Sequence, residues 1–361
     1  MYNKKEYLKK LNRLRAGSYR QDNSGIFLDR NERSIPYSDE IIKSLHKRLK
    51  NIHLGLYPDL NPLYRKFSNW LGISEDQIYI TEGVSGAIKS LIETLTIPGV
   101  SNIIFPFPTF AMYPVYSKMF NLESRQIGYS NNYKLDYEKL IQSIDKNTAI
   151  VFLPNPNMPI EGTLNKDEMI ELAEYCHNNN TILAMDEVYY PFGGPTAIDL
   201  IERFSNLFVM RSLSKAFGLA SIRVGYLLGS KENIKYVSKT RTGYETNSLS
   251  MEVALYFIDN YNLILDYVSE VKVGMDFLKI ELRKLNIEFN GGETGNYIYI
   301  NLKSKNLSTQ IVQELSNKNF FVRGGWPEPY DIGFSVTGAP KNIMKLFYDN
   351  FYEIYSKKLE N

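Results

Sequence analysis

Two apolar stretches of this chain end in residues whose types can do chemistry. TILAMDEVYY ends in Asp186 and Glu187, with Tyr189 three residues after the aspartate; NLFVMRSLSKAFGLASIRVGY supplies Ser212, Ser214 and Lys215, then Arg223 eight residues on. A lysine is ordinarily a solvated surface residue. Here Ala216, Phe217, Gly218, Leu219 and Ala220 follow it, an apolar neighbourhood that disfavours the ammonium and turns the amine into a nucleophile for imine formation. Taken singly, each residue also has a plainer reading: Asp186 as a helix cap, Arg223 as a strand-edge ion pair. His46, His53 and His177 have no zinc-ligand spacing. Cys176, the only cysteine, excludes an intrachain disulfide and a multi-cysteine metal site, fits a reducing cytosol, and reads as a small core residue beside Leu172 and Ala173. Gly291 and Gly292 read as a loop, since no helix follows to make a phosphate cradle.

The elements that must position these residues follow from pattern. Short apolar runs (Gln77 to Thr81, Asn102 to Pro106, Thr148 to Leu153, Thr181 to Asp186, Leu207 to Ser212, Arg223 to Leu228) alternate with longer stretches. In Val84 to Leu95 and Lys166 to His177 the apolar residues fall three and four apart, as in covering helices. Such alternation predicts an α/β fold with a mostly parallel sheet, and ligands then sit at the carboxyl ends of its strands. After about Tyr244 the texture changes to two helical stretches and the strand-like runs Tyr297 to Leu302 and Asp331 to Thr337. The expected organisation is an N-terminal arm over 1–36, a large domain over 37–244 and a smaller α+β domain over 245–361. The 361 residues hold 42 Lys plus Arg against 40 Asp plus Glu, so no basic surplus favours nucleic acid. Neither a signal-peptide core nor an 18-residue apolar run is present, and a soluble cytoplasmic protein without membrane partners is expected.

SLSKAFGLASIRVGY preceded by MDEVYY resembles the signature of the fold-type I pyridoxal-phosphate (PLP) enzymes, and within them the histidinol-phosphate aminotransferase family. The likeness takes in GLYPDLNPLYRKFSNWLGI (55–73), ITEGVSGAI (80–88), FPFPTFAMY (105–113) and LPNPNMPIEGT (153–163), in the family's order. It implies a seven-stranded sheet in the large domain and PLP as cofactor. It further implies Lys215 as the Schiff-base lysine and proton shuttle, and Asp186 as the partner of the pyridine nitrogen. Tyr189 and Asn157 would hydrogen-bond the phenolic oxygen, and Phe110 would stack on the ring. Gly83, Val84 and Ser85 at a helix start, with Ser212 and Arg223, would seat the phosphate. Tyr57 would reach the phosphate of a second subunit, implying a homodimer with shared sites.

Two departures bear on the substrate. Where the family carries a carboxylate-binding arginine near the C-terminus, DIGFSVTG puts Gly333; Arg323 in FFVRGGW, and Asn31 and Arg33 in the N-terminal DRNER segment, are the remaining candidates to hold substrate. Met158-Pro159-Ile160-Glu161-Gly162 stands in place of the family's Asn-Pro-Thr-Gly, with one residue extra. The favoured expectation is transamination of a small phosphorylated amine or ketone, histidinol-phosphate- or serinol-phosphate-like, with an amino acid or keto acid as second substrate. The alternatives are PLP-dependent decarboxylation of a phosphorylated amino acid, for which loss of an in-plane carboxylate clamp is permissive, and a cofactor-binding regulator without turnover.

Overall fold

The computed structural model describes residues 5–9, 11–12 and 24–359. Its strands run β1 (Ile26–Leu28), β2 (Ile78–Thr81), β3 (Asn102–Pro106), β4 (Glu123–Ile127), β5 (Thr148–Pro154), β6 (Ile182–Asp186), β7 (Leu207–Ser212), β8 (Gly225–Gly229), β9 (Glu288–Gly291), β10 (Tyr297–Asn301), β11 (Phe320–Val322) and β12 (Gly333–Thr337). Seven of them form one sheet in the order β2-β8-β7-β6-β5-β3-β4. Its pairs are parallel except that β8 runs antiparallel to both β7 and β2. Helices cover both faces, so the strands have no polar side to show. Along β5, Val151 and Leu153 enter one core while Ile150 and Phe152 enter the other, all 2% exposed or less. This two-sided burial is why these strands read as unbroken apolar runs.

The seventh strand, β4, has no such signature. Its sequence ESRQI is mostly exposed at the sheet edge, where Arg125 pairs with Glu123 and Asp145, and polar side chains there discourage further strand pairing. Two expected runs also start late. Arg223 takes a left-handed φ of 58°, so the strand begins at Gly225; residues 330–332 form a 3-10 turn, so the last strand begins at Gly333.

The C-terminal part builds an antiparallel sheet, β12-β10-β9, against the helices Asn262–Lys284 and Lys341–Leu359. These close to backbone contact: a β-carbon on Gly274 would lie 1.9 Å from the Ala339 carbonyl. Strand β1 pairs in parallel with β11, Ile26 opposite Phe320. Residues 1–4, 10 and 13–23 of the expected arm lie outside the described residues. Among the described residues no helix is long and apolar enough to cross a membrane, and no group of His, Cys, Asp and Glu is placed to hold a metal ion.

Candidate active site

The carboxyl ends of β3, β5, β6 and β7, with the helix start after β2, converge on a cleft of about 380 Å³. Asp186, the last residue of β6, forms its floor and is 2% exposed. Its Oδ2 accepts the Tyr113 hydroxyl at 2.7 Å and its Oδ1 accepts the Val188 N–H at 3.1 Å. Burial pushes the carboxyl up to about 6, against the lowering effect of these two donors and the Lys215 amine, while Glu187 pushes it further up. A carboxylate held this way gains most from a cation above it. Glu187 itself turns out of the cleft. Its carboxylate takes Arg211 through Nε and Nη2 at 3.0 and 2.8 Å, the Thr196 hydroxyl and the Ala197 N–H, a fully buried pair that ties β6 to β7.

At one end of the cleft the helix Gly83–Leu95 begins with no side-chain cap, leaving its first N–H groups for an anion. The Arg223 guanidinium lies over this start, donating to the Glu82 and Ala220 carbonyls at 3.2 and 3.1 Å. The Ser212 and Ser214 hydroxyls meet at 2.9 Å beside it. Glycines permit this closeness. A β-carbon on Gly83 would lie 2.8 Å from Arg223 Nη2, and one on Gly225 would lie 2.5 Å from Gly83 Cα. Gly225→Ala therefore drives β8 and the helix start apart: we expect a loss of about 1–3 kcal/mol in denaturant unfolding and weaker PLP binding, read by titrating cofactor absorbance.

On the opposite rim Lys215 leaves the turn after β7, its Nζ 2.7 Å from the Arg30 carbonyl. Tyr189 accepts the Asn31 amide at 2.8 Å, and burial holds its hydroxyl well above the ordinary range, so it stays a proton donor. Asn31 in turn takes the Thr337 hydroxyl at 3.2 Å, joining the cleft to β12. Phe110 and Arg323 stand on the walls, Arg323 with its guanidinium 5.4 Å from the Trp326 ring.

Arg33 is placed otherwise than expected, Asn157 has partners of its own, and Tyr57, expected at a second subunit's site, lies away from this one. Arg33 lines no part of the cleft: its guanidinium lies between the Tyr267 and Tyr37 rings at 3.7 and 4.2 Å, and its Nε donates to the Ile35 carbonyl. It packs so tightly under the lysine turn that a β-carbon on Gly218 would fall 2.6 Å from its Cδ, which makes it a support for that turn. Asn157 is in the wall, but its amide already donates to the Pro108 carbonyl at 2.8 Å and reaches the Ile160 carbonyl at 3.5 Å, while its oxygen accepts the Thr109 hydroxyl at 2.6 Å. These bonds brace the cleft wall around Asn157. Tyr57 is 79% exposed, stacked on Tyr244 at 4.5 Å and away from this cleft. Tyr113, Thr109 and Trp326 are the residues that sequence reasoning left unassigned. Tyr113 lay within a quoted motif, yet nothing in its spacing announces that it meets an aspartate 73 residues later.

The donor set suits PLP: a buried carboxylate for the pyridine nitrogen, a glycine-lined anion seat for the phosphate, and an amine on the rim. A wider groove of about 750 Å³ between the helices Asn61–Leu71 and Lys231–Val237 holds none of these residues.

Comparison with known proteins agrees. The family model for class I and II aminotransferases matches residues 23–328. The histidinol-phosphate aminotransferase of Caldanaerobacter subterraneus subsp. tengcongensis is 30% identical over 262 residues, spanning 72% of this chain and 73% of that protein. In fold, the chain is similar to the histidinol-phosphate aminotransferase of Sinorhizobium meliloti, solved in complex with pyridoxal-5'-phosphate (TM-score 0.89, 17% identity, 99% of this chain and 98% of that one). It is also similar to that of Clostridium acetobutylicum (TM-score 0.81, 21% identity, 92% and 99%).

Proposed function

This chain belongs to the class I and II aminotransferases, PLP-dependent transaminases, and on that premise we propose that it moves an amino group between a small phosphorylated amine or ketone and an amino acid or keto acid. The observation that carries the substrate class is the distribution of guanidinium groups in the cleft. Arg223 is engaged at the anion seat, and Arg30 has its Nε 3.7 Å from the Asp29 carboxylate. Arg323 remains on the substrate-facing wall. Position 333 offers no second clamp: a β-carbon there would lie 2.3 Å from the Ile300 carbonyl and 2.6 Å from the Tyr299 hydroxyl. A phosphorylated partner, like the substrate named for the relatives, is met by one guanidinium; a dicarboxylate would be better served by two.

PLP, when bound, supplies an electron sink for negative charge at the substrate Cα. Asp186 keeps the ring nitrogen protonated, and Tyr113 keeps Asp186 in place. Lys215 would be the base that takes and holds the proton of the substrate Cα. Tyr189, oriented by Asn31, would hydrogen-bond the ring's phenolic oxygen together with Asn157, and Phe110 would stack on the ring. The Gly83, Val84 and Ser85 N–H groups, Ser212 and Arg223 would hold the phosphate. The division into an arm over 1–36, a large domain over 37–244 and a small domain over 245–361 belongs to the same reading, as does a cytoplasmic location. So does a homodimer in which Tyr57 completes the partner's phosphate seat; the exposed apolar side chains of Leu54, Leu56 and Tyr57 support such an interface. The relatives are transaminases by name, which disfavours decarboxylation and a purely regulatory role.

The test is to load the protein with PLP and add histidinol phosphate, serinol phosphate or O-phosphorylated amino acids singly. Conversion of the bound cofactor to its amine form by a phosphorylated amine supports the proposal. Carbon dioxide released from a phosphorylated amino acid without any keto acid overturns it. In the same assay Arg323→Ala is expected to raise KM for the phosphorylated substrate by roughly 10- to 150-fold, the worth of a charged hydrogen-bonding partner. PLP affinity should hardly change, and equal weakening of both would place Arg323 at the wrong anion.

A further inference from the structure

The stretch that carries one extra residue, Met158 to Gly162, is bound along its length by the C-terminal sheet. The Asn157 carbonyl just before it accepts the Tyr297 hydroxyl. Ile160 is fully buried against Tyr299, Trp326 and Tyr330. The Glu161 N–H donates to Asn290 Oδ1 at 2.6 Å. Its carboxylate then enters the loop between β9 and β10. Oε2 accepts the Glu293 N–H at 3.0 Å; Oε1 accepts the Thr294 N–H at 2.7 Å, the Thr294 hydroxyl at 3.1 Å and the Gly295 N–H.

Three successive N–H groups converging on one anion form a backbone nest. Positive φ at Gly291 and Gly292, 105° and 83°, turns the chain into it. From below, Lys279, 5% exposed, holds the same loop through the Gly292 carbonyl at 3.4 Å and the Glu293 carboxylate at 2.8 Å. The glycine pair turns the chain, as a loop should, and the anion cradle lies just beyond it at 293–295, filled by the protein's own carboxylate.

What this contact joins gives it a role. Asn157 and Met158, at the start of the stretch, line the cleft beside Asp186; Ile160 packs on Trp326, whose ring carries the Arg323 guanidinium. Glu161 itself lines no part of the cleft. We propose that Glu161 is a positioning residue: its carboxylate, seated in the 293–295 nest, holds the Arg323–Trp326 wall at a fixed distance from the Asp186–Lys215 floor. The inference rests on the transaminase reading only for the kinetic arm of its test.

The chain has two tryptophans, so Trp70→Phe leaves Trp326 as the sole emitter. In that background Glu161→Ala and the milder Glu161→Gln are compared with Glu161 at a temperature where circular dichroism shows all three folded. Expected are a red shift of Trp326 emission, greater quenching by acrylamide, and a loss of energy transfer from Trp326 to bound PLP, with the PLP dissociation constant changed by no more than about twofold. KM for histidinol phosphate should rise by about tenfold or more with kcat less affected, as misplacement of a binding group predicts. Unchanged emission, quenching and energy transfer in both variants overturn the proposal. So does a loss of PLP affinity as large as the rise in KM, since that marks a general structural defect. If histidinol phosphate proves not to be a substrate, the substrate reading fails while the fluorescence arms still decide the role of Glu161; should Glu161→Ala not fold, Glu161→Gln decides it alone.

Discussion

Lys215→Ala is expected to abolish turnover, lowering kcat by about 10⁴-fold or more, because on the proposed mechanism the variant would lose both the amine that links to the cofactor and the base that moves the Cα proton. The lesion is local. Lys215 leaves a turn anchored by Ala216 and Phe217, both buried, and its Nζ lies 2.7 Å from the Arg30 carbonyl. Folding should survive, and PLP should still bind through Arg223, Ser212 and the start of the helix at Gly83. The measurement pairs turnover with the spectrum of the loaded variant, followed by added methylamine or ammonia. Partial restoration of turnover by a free amine, absent in the parent protein, is the expected signature of a missing proton carrier. Activity within tenfold of the parent would remove Lys215 from the mechanism.

Asp186→Asn is expected to have the second largest effect on the proposed mechanism, a fall in kcat of roughly 10²- to 10³-fold, the usual loss when one buried electrostatic partner of a developing charge is removed. The amide keeps the shape and can still meet Tyr113, but it cannot hold a proton on the ring nitrogen. A second readout needs no cofactor. Burial raises this carboxyl from 3.8 to about 6 in the folded chain, so between those values the native state keeps a proton that the unfolded chain has released. Stability of the cofactor-free protein therefore falls as pH rises through that window, by an amount on the order of 3 kcal/mol once both forms are ionised. The contribution is full below 3.8 and gone above about 6. Melting temperatures of the parent and Asp186→Asn, compared from pH 4 to 7, should diverge over that interval, with the variant gaining relative to the parent as pH rises. Parallel curves would mean that Asp186 is not desolvated.

The parts of this molecule that local pattern revealed are those whose physics is local. Strands β3, β5, β6 and β7 are buried on both faces, and the helices Gly83–Leu95 and Lys166–Asn178 keep one apolar stripe, so runs and spacing announce them. The ends of those strands carried Asp186, Ser212 and Lys215 to one cleft. Strand β4 was silent because an edge needs polar residues, and the left-handed turn at Arg223 was silent because an arginine rarely adopts it. Contacts between distant residues were invisible for a different reason. Tyr113 meeting Asp186, or the Glu161 carboxylate meeting amides 132 to 134 residues away, depends on how layers stack, and no window of sequence carries that. Arg33 shows the converse: a residue type suited to a ligand was taken by aromatic faces and a carbonyl of the chain itself.

The pairing of β1 with β11 has a consequence for how the molecule is made. Ile26 waits for Phe320, and Asn31, which steadies Tyr189, waits for Thr337 across 306 residues. The seven-stranded layer can be complete while β1, which lies outside it, still has no neighbour. A cofactor seat in which Asn31 steadies Tyr189 therefore needs the chain through Thr337, so closure over more than 300 residues, and not the parallel layer alone, completes it.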